Sequence, residues 1–494
     1  MSREQMRMNI AKAEAQIAAT KPDMEHAVMR QKYHFMAEQG WINDPNGLIF
    51  FRGKYHFFYQ YNPYDAYWGA MHWGHAISDD MLHWEYLPIA LAPSEPYDDH
   101  KEGGCFSGSS IEHEGKLYLV YTGTTNYGDG FIQSQCVACS EDGVHFDKFE
   151  GNPVIPAPPE GYDRANFRDP KVWKHDGKFY LVCGAKKDNL AHALLYRSAD
   201  LLHWEFVNVL AESRGELGYM WECPDFYPLG DKYVLMFSPM GLHERTTVYL
   251  VGDMNYETGK FTYATTGEID WGFDYYAPQS FLAPDGRRIL VAWANAWDWM
   301  PWWKDWGPSF KEGWCGAFNL PREAKLCEDN SLRFIPVKEL ETLRGDKAEA
   351  DNVVVEDSYE IAGKNGVFFE LKLIVDRKKT TAESFDLILR SDGDKASVVT
   401  VDLKRQQMSF DRSNADGWSR GKTRSPLLLQ NPDELEVHVY VDQSSIEVYT
   451  DDYKTSHSCN VFASNDQNQN YVKAHNGILH MKKVIIWELE KTMK

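Results

Sequence analysis

The chain has 494 residues, enough for more than one domain and for a substantial core. Its 73 acidic residues outnumber 52 basic ones, a formal charge of -21, which excludes the basic footprint of a protein that grips a phosphate backbone. No run of about 18 apolar residues offers a membrane span, and eight scattered cysteines, with Cys136 and Cys139 the closest pair, lack zinc-site spacing and force no disulfide framework.

The first element is an N-terminal segment, residues 1–32, that favours helix by composition. It has no apolar core of a signal peptide, so a cytoplasmic protein is expected. From residue 33 a pattern recurs: a turn residue, a basic residue, then apolar and aromatic residues of strand length. It reads GKYHFFYQ (53–60), GKLYLVYTG (115–123), GKFYLVCGA (177–185), DKYVLMFSP (231–239) and, more loosely, GRRILVAWA (286–294). The starts lie 62, 62, 54 and 55 residues apart. A second element follows three of them in close form, HAISDDMLHWEYLP (75–88), VACSEDGVHFDKFE (137–150) and LLYRSADLLHWEFV (194–207), with VYLVGDMNYETGKF (248–261) a looser fourth. Five β-rich units at near-regular spacing, without crossover helices between them, predict a five-bladed β-propeller over residues 33–335.

Eight or nine residues before these runs stand Asp44 (in WINDPNG), Ser107 (in CFSGS), Asp169 (in NFRDP) and Glu222 (in MWECPD). Before the fifth run, at slightly larger spacing, stand Asp274 and Tyr275. Equivalent positions of a repeat occupy equivalent places, so three carboxylates are expected to share one small cavity. After a connection at 336–349, short alternating strands from 350 to 494 predict a second all-β unit, a β-sandwich, whose expected work is packing against the first. No comparable cluster of acids is visible in it.

The three acids could bind a metal, but no histidine stands at ligand spacing and Arg168 adjoins Asp169, so no metal and no cofactor is expected. Glycosidic bond cleavage uses such a set better: one ionised carboxylate, one protonated acid, and crowded like charges drive their pKa values apart. Asp44, short and held between Asn43 and Pro45, suits a nucleophile. Glu222, between Trp221 and Cys223–Pro224, suits a general acid with a raised pKa. Asp169, beside Arg168, should stay ionised and support a cationic transition state. Each also has a plain structural reading: an Asx turn for Asp44, a salt bridge for Asp169, a solvated edge for Glu222. Their shared phase favours function.

The same motifs resemble glycoside hydrolase family 32, the β-fructofuranosidases, which include invertases, fructan hydrolases and sucrose-6-phosphate hydrolases. WINDPNG resembles the nucleophile motif, FRDP the transition-state motif and WEC the acid/base motif, implying those roles for Asp44, Asp169 and Glu222. The resemblance further implies sugar contacts from Trp41, Asn43, Gln60, Trp68, Phe106, Ser107, Arg168, Tyr275 and Trp293. LPRE (320–323), SFDRS (409–413) and VYVDQSSIEVY (439–449) match later motifs, so the likeness runs over roughly residues 30–490. It implies an all-β fold, a five-bladed β-propeller followed by a C-terminal β-sandwich. It also implies a retaining hydrolase of sucrose, sucrose 6-phosphate or short fructo-oligosaccharides. A fructosyltransferase, a fructan-directed hydrolase and a non-catalytic glycan-binding propeller are the alternatives. The expected partner is a small sugar, with no nucleic acid and no membrane; the oligomeric state is open.

Overall fold

The computed structural model describes every residue except 1, 129, 244, 300–306, 362–365, 493 and 494. The recurring runs are the second strands of five sheets: Lys54–Asn62, Lys116–Asn126, Lys178–Lys187, Lys232–Met240 and Arg288–Trp293. Each pairs antiparallel with the strand before it: Gly40–Phe51, Gly104–His113, Phe167–His175, Met220–Leu229 and Tyr276–Leu282. The turns SDDMLH, SEDGVH and SADLLH explain part of the repeat without catalysis. In each, an aspartate (Asp80, Asp142, Asp200) accepts two backbone N–H groups and meets a histidine three residues on.

Strand pairing corrects the expected architecture. β-Structure dominates, but the described strands form seven separate open sheets, and no sheet closes on itself. Five contain four or five strands and two contain six. The five-bladed propeller and following sandwich are therefore replaced by this set of open sheets. The physical reason is that a sequence period reports the strands and turns of one unit, not how units close. The first sheet also gains a parallel strand from far along the chain, Trp314–Cys315, on Gly40 and Trp41. The stretch expected as a connection, 336–349, holds a 3-10 helix, Lys338–Leu343, and the start of the strand Arg344–Val355.

The N-terminal segment forms a helix, Ser2–Thr20, then a 3-10 turn, Lys21–His26. Met6, Ala13 and Ile17 are buried in one stripe. The helix lies on the outer strand of the first sheet, Trp84–Leu91. There Glu14 accepts the N–H of Ile89 at 2.7 Å, satisfying an edge donor.

A buried polar network joins one six-stranded sheet, through Glu447, to Arg322 and Asp270 of the N-terminal part of the chain. His34 meets Asp442 at 2.8 Å and Glu447 at 3.1 Å. Arg322 donates to Asp270 and Glu447, both at 2.8 Å, between the rings of Tyr275 and Tyr449. Burial pushes the His34 ring down, but its hydrogen bonds to Asp442 and Glu447 outweigh that and hold it up at about 9.

Candidate active site

Each of the five first strands breaks register near its start, at Asn43–Asp44, at Ser107, at Asp169–Pro170, at Cys223–Pro224 and at Ala277–Pro278; Gly40–Phe51 breaks a second time between Asn46 and Ile49. Such bulges bend a strand and re-aim its side chains. Proline, which brings no N–H to the ladder, follows Asp44, Asp169, Cys223 and Ala277. Asp169, Cys223 and Ala277 adopt left-handed backbone (φ 64°, 48° and 52°), a strain of roughly 1–3 kcal/mol each.

These breaks bring the three acids together, with Cys223 as the junction. Its N–H donates to Asp169 Oδ2 at 2.9 Å and its thiol to Asp44 Oδ2 at 3.4 Å, while Glu222 precedes it in the chain. Ser107 Oγ also donates to Asp44 Oδ2, at 2.5 Å. Asp44 Oδ1 is buried and accepts no hydrogen bond among the described residues. Glu222 is held from two sides: Arg168 donates to Oε1 through Nη2 at 2.8 Å and Nε at 3.1 Å, and the Tyr276 hydroxyl donates to Oε2. Burial and the facing Glu222 carboxylate push the Tyr276 phenol far up, so it remains a donor.

Electrostatics follow from crowding in a dry pocket. Burial first, then the Glu222 charge, raises Asp44 to about 6, against the opposing pull of Ser107, Asn43 and Cys223. Burial raises Asp169 as well; Arg168 opposes the shift and the other two acids add to it. Arg168 bonds Glu222 directly and lies 3.9 Å from Asp169. Its charge is the chief influence holding Asp169 down, but burial and the two neighbouring acids outweigh it and raise Asp169 to about 7, against the expectation that it stays ionised. The Trp221 ring is not the apolar wall beside Glu222. It is fully buried, stacks on Phe237 at 4.0 Å and donates to Leu217 O, because consecutive strand residues point to opposite faces.

The remaining candidates divide. Trp41 bonds Asn43 Oδ1 at 2.8 Å and stacks on Trp297. Gln60 donates to the Cys105 carbonyl, beside Phe106, and Trp68 meets Phe106 edge to face at 6.1 Å. Trp68 and Phe106 are partly exposed and can wall a sugar. Trp293 is fully buried behind Trp41 and Tyr276, a backing rather than a contact surface. Tyr275 is equally buried and its ring lies against Arg322. Asp274 pairs with Arg412 at 2.6 Å, away from the three acids. Tyr276 and Cys223, which sequence reasoning missed, take the places at the centre. Counting nine residues back from Gly286 lands on Ala277, one residue past Tyr276, which precedes Ala277 as Glu222 precedes Cys223. Among the described residues, no group of three or more His, Cys, Asp or Glu side chains is arranged to hold a metal ion.

Crowded carboxylates, one with a bare oxygen and one gripped by a guanidinium and a phenol, are the equipment of glycosidic bond cleavage. Residues 34–336 match the glycosyl hydrolases family 32 N-terminal domain, and residues 339–488 match the family 32 C terminal region. A sucrose-6-phosphate hydrolase of Zymomonas mobilis is 38% identical over 447 residues, covering 86% of this chain and 84% of its own. A raffinose invertase of Escherichia coli is 37% identical, covering 92% and 94%. Among solved structures, a family 32 β-fructofuranosidase of Bombyx mori superposes with a TM-score of 0.84 at 31% identity, over 99% of each chain. The chain belongs to glycosyl hydrolase family 32.

Proposed function

We propose that the protein is a retaining β-fructofuranosidase that releases terminal non-reducing β-D-fructofuranosyl units from sucrose, sucrose 6-phosphate or short fructo-oligosaccharides. Asp44 attacks the anomeric carbon C2 and the bond to the leaving glycosidic oxygen breaks. Glu222 gives its proton to that oxygen. The fructosyl-enzyme ester is then opened by water, whose proton passes to the Glu222 carboxylate. Arg168 and Tyr276 fix the position of the Glu222 carboxyl through hydrogen bonds to its two oxygens. Asp169 offers an acceptor to the sugar hydroxyls.

The observation that carries this reading is the asymmetry of Asp44: Oδ2 is anchored by Ser107 and Cys223, while Oδ1 has no hydrogen-bond partner among the described residues. An anchored carboxylate with one bare oxygen is oriented for attack. Two basic residues that could meet a phosphate, Arg245 and His243, are already engaged. Arg245 pairs with Glu268, and His243 lies 3.6 Å from Asp298. A 6-phosphate is therefore expected to change kcat/KM by less than about tenfold, roughly 1.4 kcal/mol. The test is fructose release by the purified chain from sucrose, sucrose 6-phosphate and kestose, side by side. Release from sucrose supports the reading; no release from any of the three by folded protein overturns it.

A further inference from the structure

The segment 269–275 leads directly into the strand that carries Tyr276, and it is stitched to Thr455–Asn460, an edge strand of a C-terminal sheet. Trp271 N donates to Ser456 O at 2.8 Å and Asp274 N to Ser458 O at 3.0 Å. In return, Ser458 N donates to Asp270 Oδ1 at 2.9 Å and Asn460 N to Asp274 Oδ2 at 2.6 Å. A buried ion pair clamps the end of this seam: Arg412 Nη1 reaches Asp274 Oδ2 at 2.6 Å, and both side chains are about 1% exposed. The Arg412 guanidinium lies 4.0 Å from the Phe273 ring centroid. Two residues beyond Asp274, the Tyr276 hydroxyl bonds Glu222.

We propose that the Asp274–Arg412 pair is a positioning device for the general acid. Through it the C-terminal sheets hold Tyr276 on Glu222, although among the described residues none of the hydrogen bonds to Asp44, Asp169 or Glu222 comes from those sheets. This rests on the reading of Glu222 as the acid. A buried charge left without its partner is costly, so the segment that carries Tyr276 must shift or rearrange when either member is lost. Displacement of a positioned group by about an ångström costs on the order of 100-fold in rate. The effect should fall on proton donation to the leaving group, because that is what Tyr276 positions.

The experiment compares kcat/KM, which reports the steps through bond cleavage, on sucrose and on β-D-fructofuranosyl fluoride. Fluoride departs with much less need of a proton than a sugar alkoxide does. Arg412→Gln should lower kcat/KM on sucrose by about 10–100-fold and on the fluoride by less than about threefold. Arg412→Lys, which keeps the charge, should recover most of the loss. In a Tyr276→Phe background, Arg412→Gln should add little, because the two act on one path. Equal losses on both substrates, no loss on sucrose, or full additivity with Tyr276→Phe would overturn the proposal. Should Arg412→Gln fail to fold, Asp274→Asn tests the same pair with nearly unchanged shape and the same expected signature. Glu222→Gln is the control for the underlying reading. If it shows no dependence on the leaving group, the acid is misassigned; if it does and Arg412→Gln does not, the positioning role alone fails.

Discussion

Glu222 and Cys223 are neighbours in the chain, and between them they touch every part of the site. Glu222 takes Arg168 and Tyr276, while Cys223 ties Asp44 to Asp169. Replacing Asp44 with Ala or Glu222 with Gln should lower kcat on sucrose by at least about 100-fold, the usual worth of such groups; steady-state kinetics with a circular-dichroism check of folding decides it. Asp44 also sets a pH limit. In its proposed role as nucleophile, Asp44, raised to about 6 chiefly by burial, is protonated below that value, so kcat/KM should fall as pH drops through about 6. The same shift acts on stability with a definite sign. Between the ordinary carboxylate value and about 6, the folded chain holds a proton at Asp44 that the unfolded chain has released, so stability falls as pH rises through that window. Asp44→Asn, which cannot ionise, should melt higher than the native chain at pH 7, by about 1–3 kcal/mol. The gap should close near pH 4; a gap that is constant from pH 4 to 8 would contradict the assignment. The three acids were legible in the sequence because they share a phase. Tyr276 was not, since the strict count lands on apolar Ala277 and draws the eye to the polar Asp274 and Tyr275.

The elements that deliver these residues are strands whose register breaks at the residues that line the site. Hydrophobic runs with turn residues in front located the second strands, because each turn and its following apolar run are local features. The register breaks were not readable in advance: a bulge is set by what the neighbouring strands demand, and only the prolines after Asp44, Asp169, Cys223 and Ala277 hint at it. The N-terminal helix was legible as helix, while its use as a cover for the outer strand Trp84–Leu91 was not, since helical propensity carries no information about a distant partner. That cover has a testable consequence. Removing residues 1–26 would bare the Ile89 N–H and the apolar strip under Met6, Ala13 and Ile17. The shortened chain should self-associate with rising concentration, as exposed edge strands do, and light scattering would show it. A shortened chain as dispersed as the native one would contradict this role.

At the scale of the whole molecule, a dense set of buried charges links the N-terminal part of the chain to one six-stranded C-terminal sheet. LPRE and VYVDQSSIEVY stood out in the sequence as motifs without a visible job; in the structure Asp442 and Glu447 of the second meet at His34, and Arg322 of the first bonds Glu447. The open-sheet arrangement itself was misread from the repeat, because regular spacing speaks for the unit and not for the assembly. His34 gives this network a pH signature. Its folded value of about 9 lies above the ordinary 6.5, so its contribution is fully present below 6.5 and is lost as pH rises through about 9. The melting temperature should fall across that interval, and a His34→Asn variant should flatten the decline. Glu447→Gln, which leaves Arg322 short of one charge partner in a dry setting, should cost about 3–5 kcal/mol in denaturant unfolding.

The account turns on Asp44 as the atom donor to a covalent fructosyl-enzyme. Glu222→Gln lacks the base that admits water to that ester, so the intermediate should accumulate when β-D-fructofuranosyl fluoride supplies a leaving group that needs little acid. Rapid quenching, proteolysis and mass spectrometry should then find one anhydrofructose unit on the peptide that carries Asp44. A label on the peptide carrying Asp169, or no label while fluoride is released in a burst, would contradict the account.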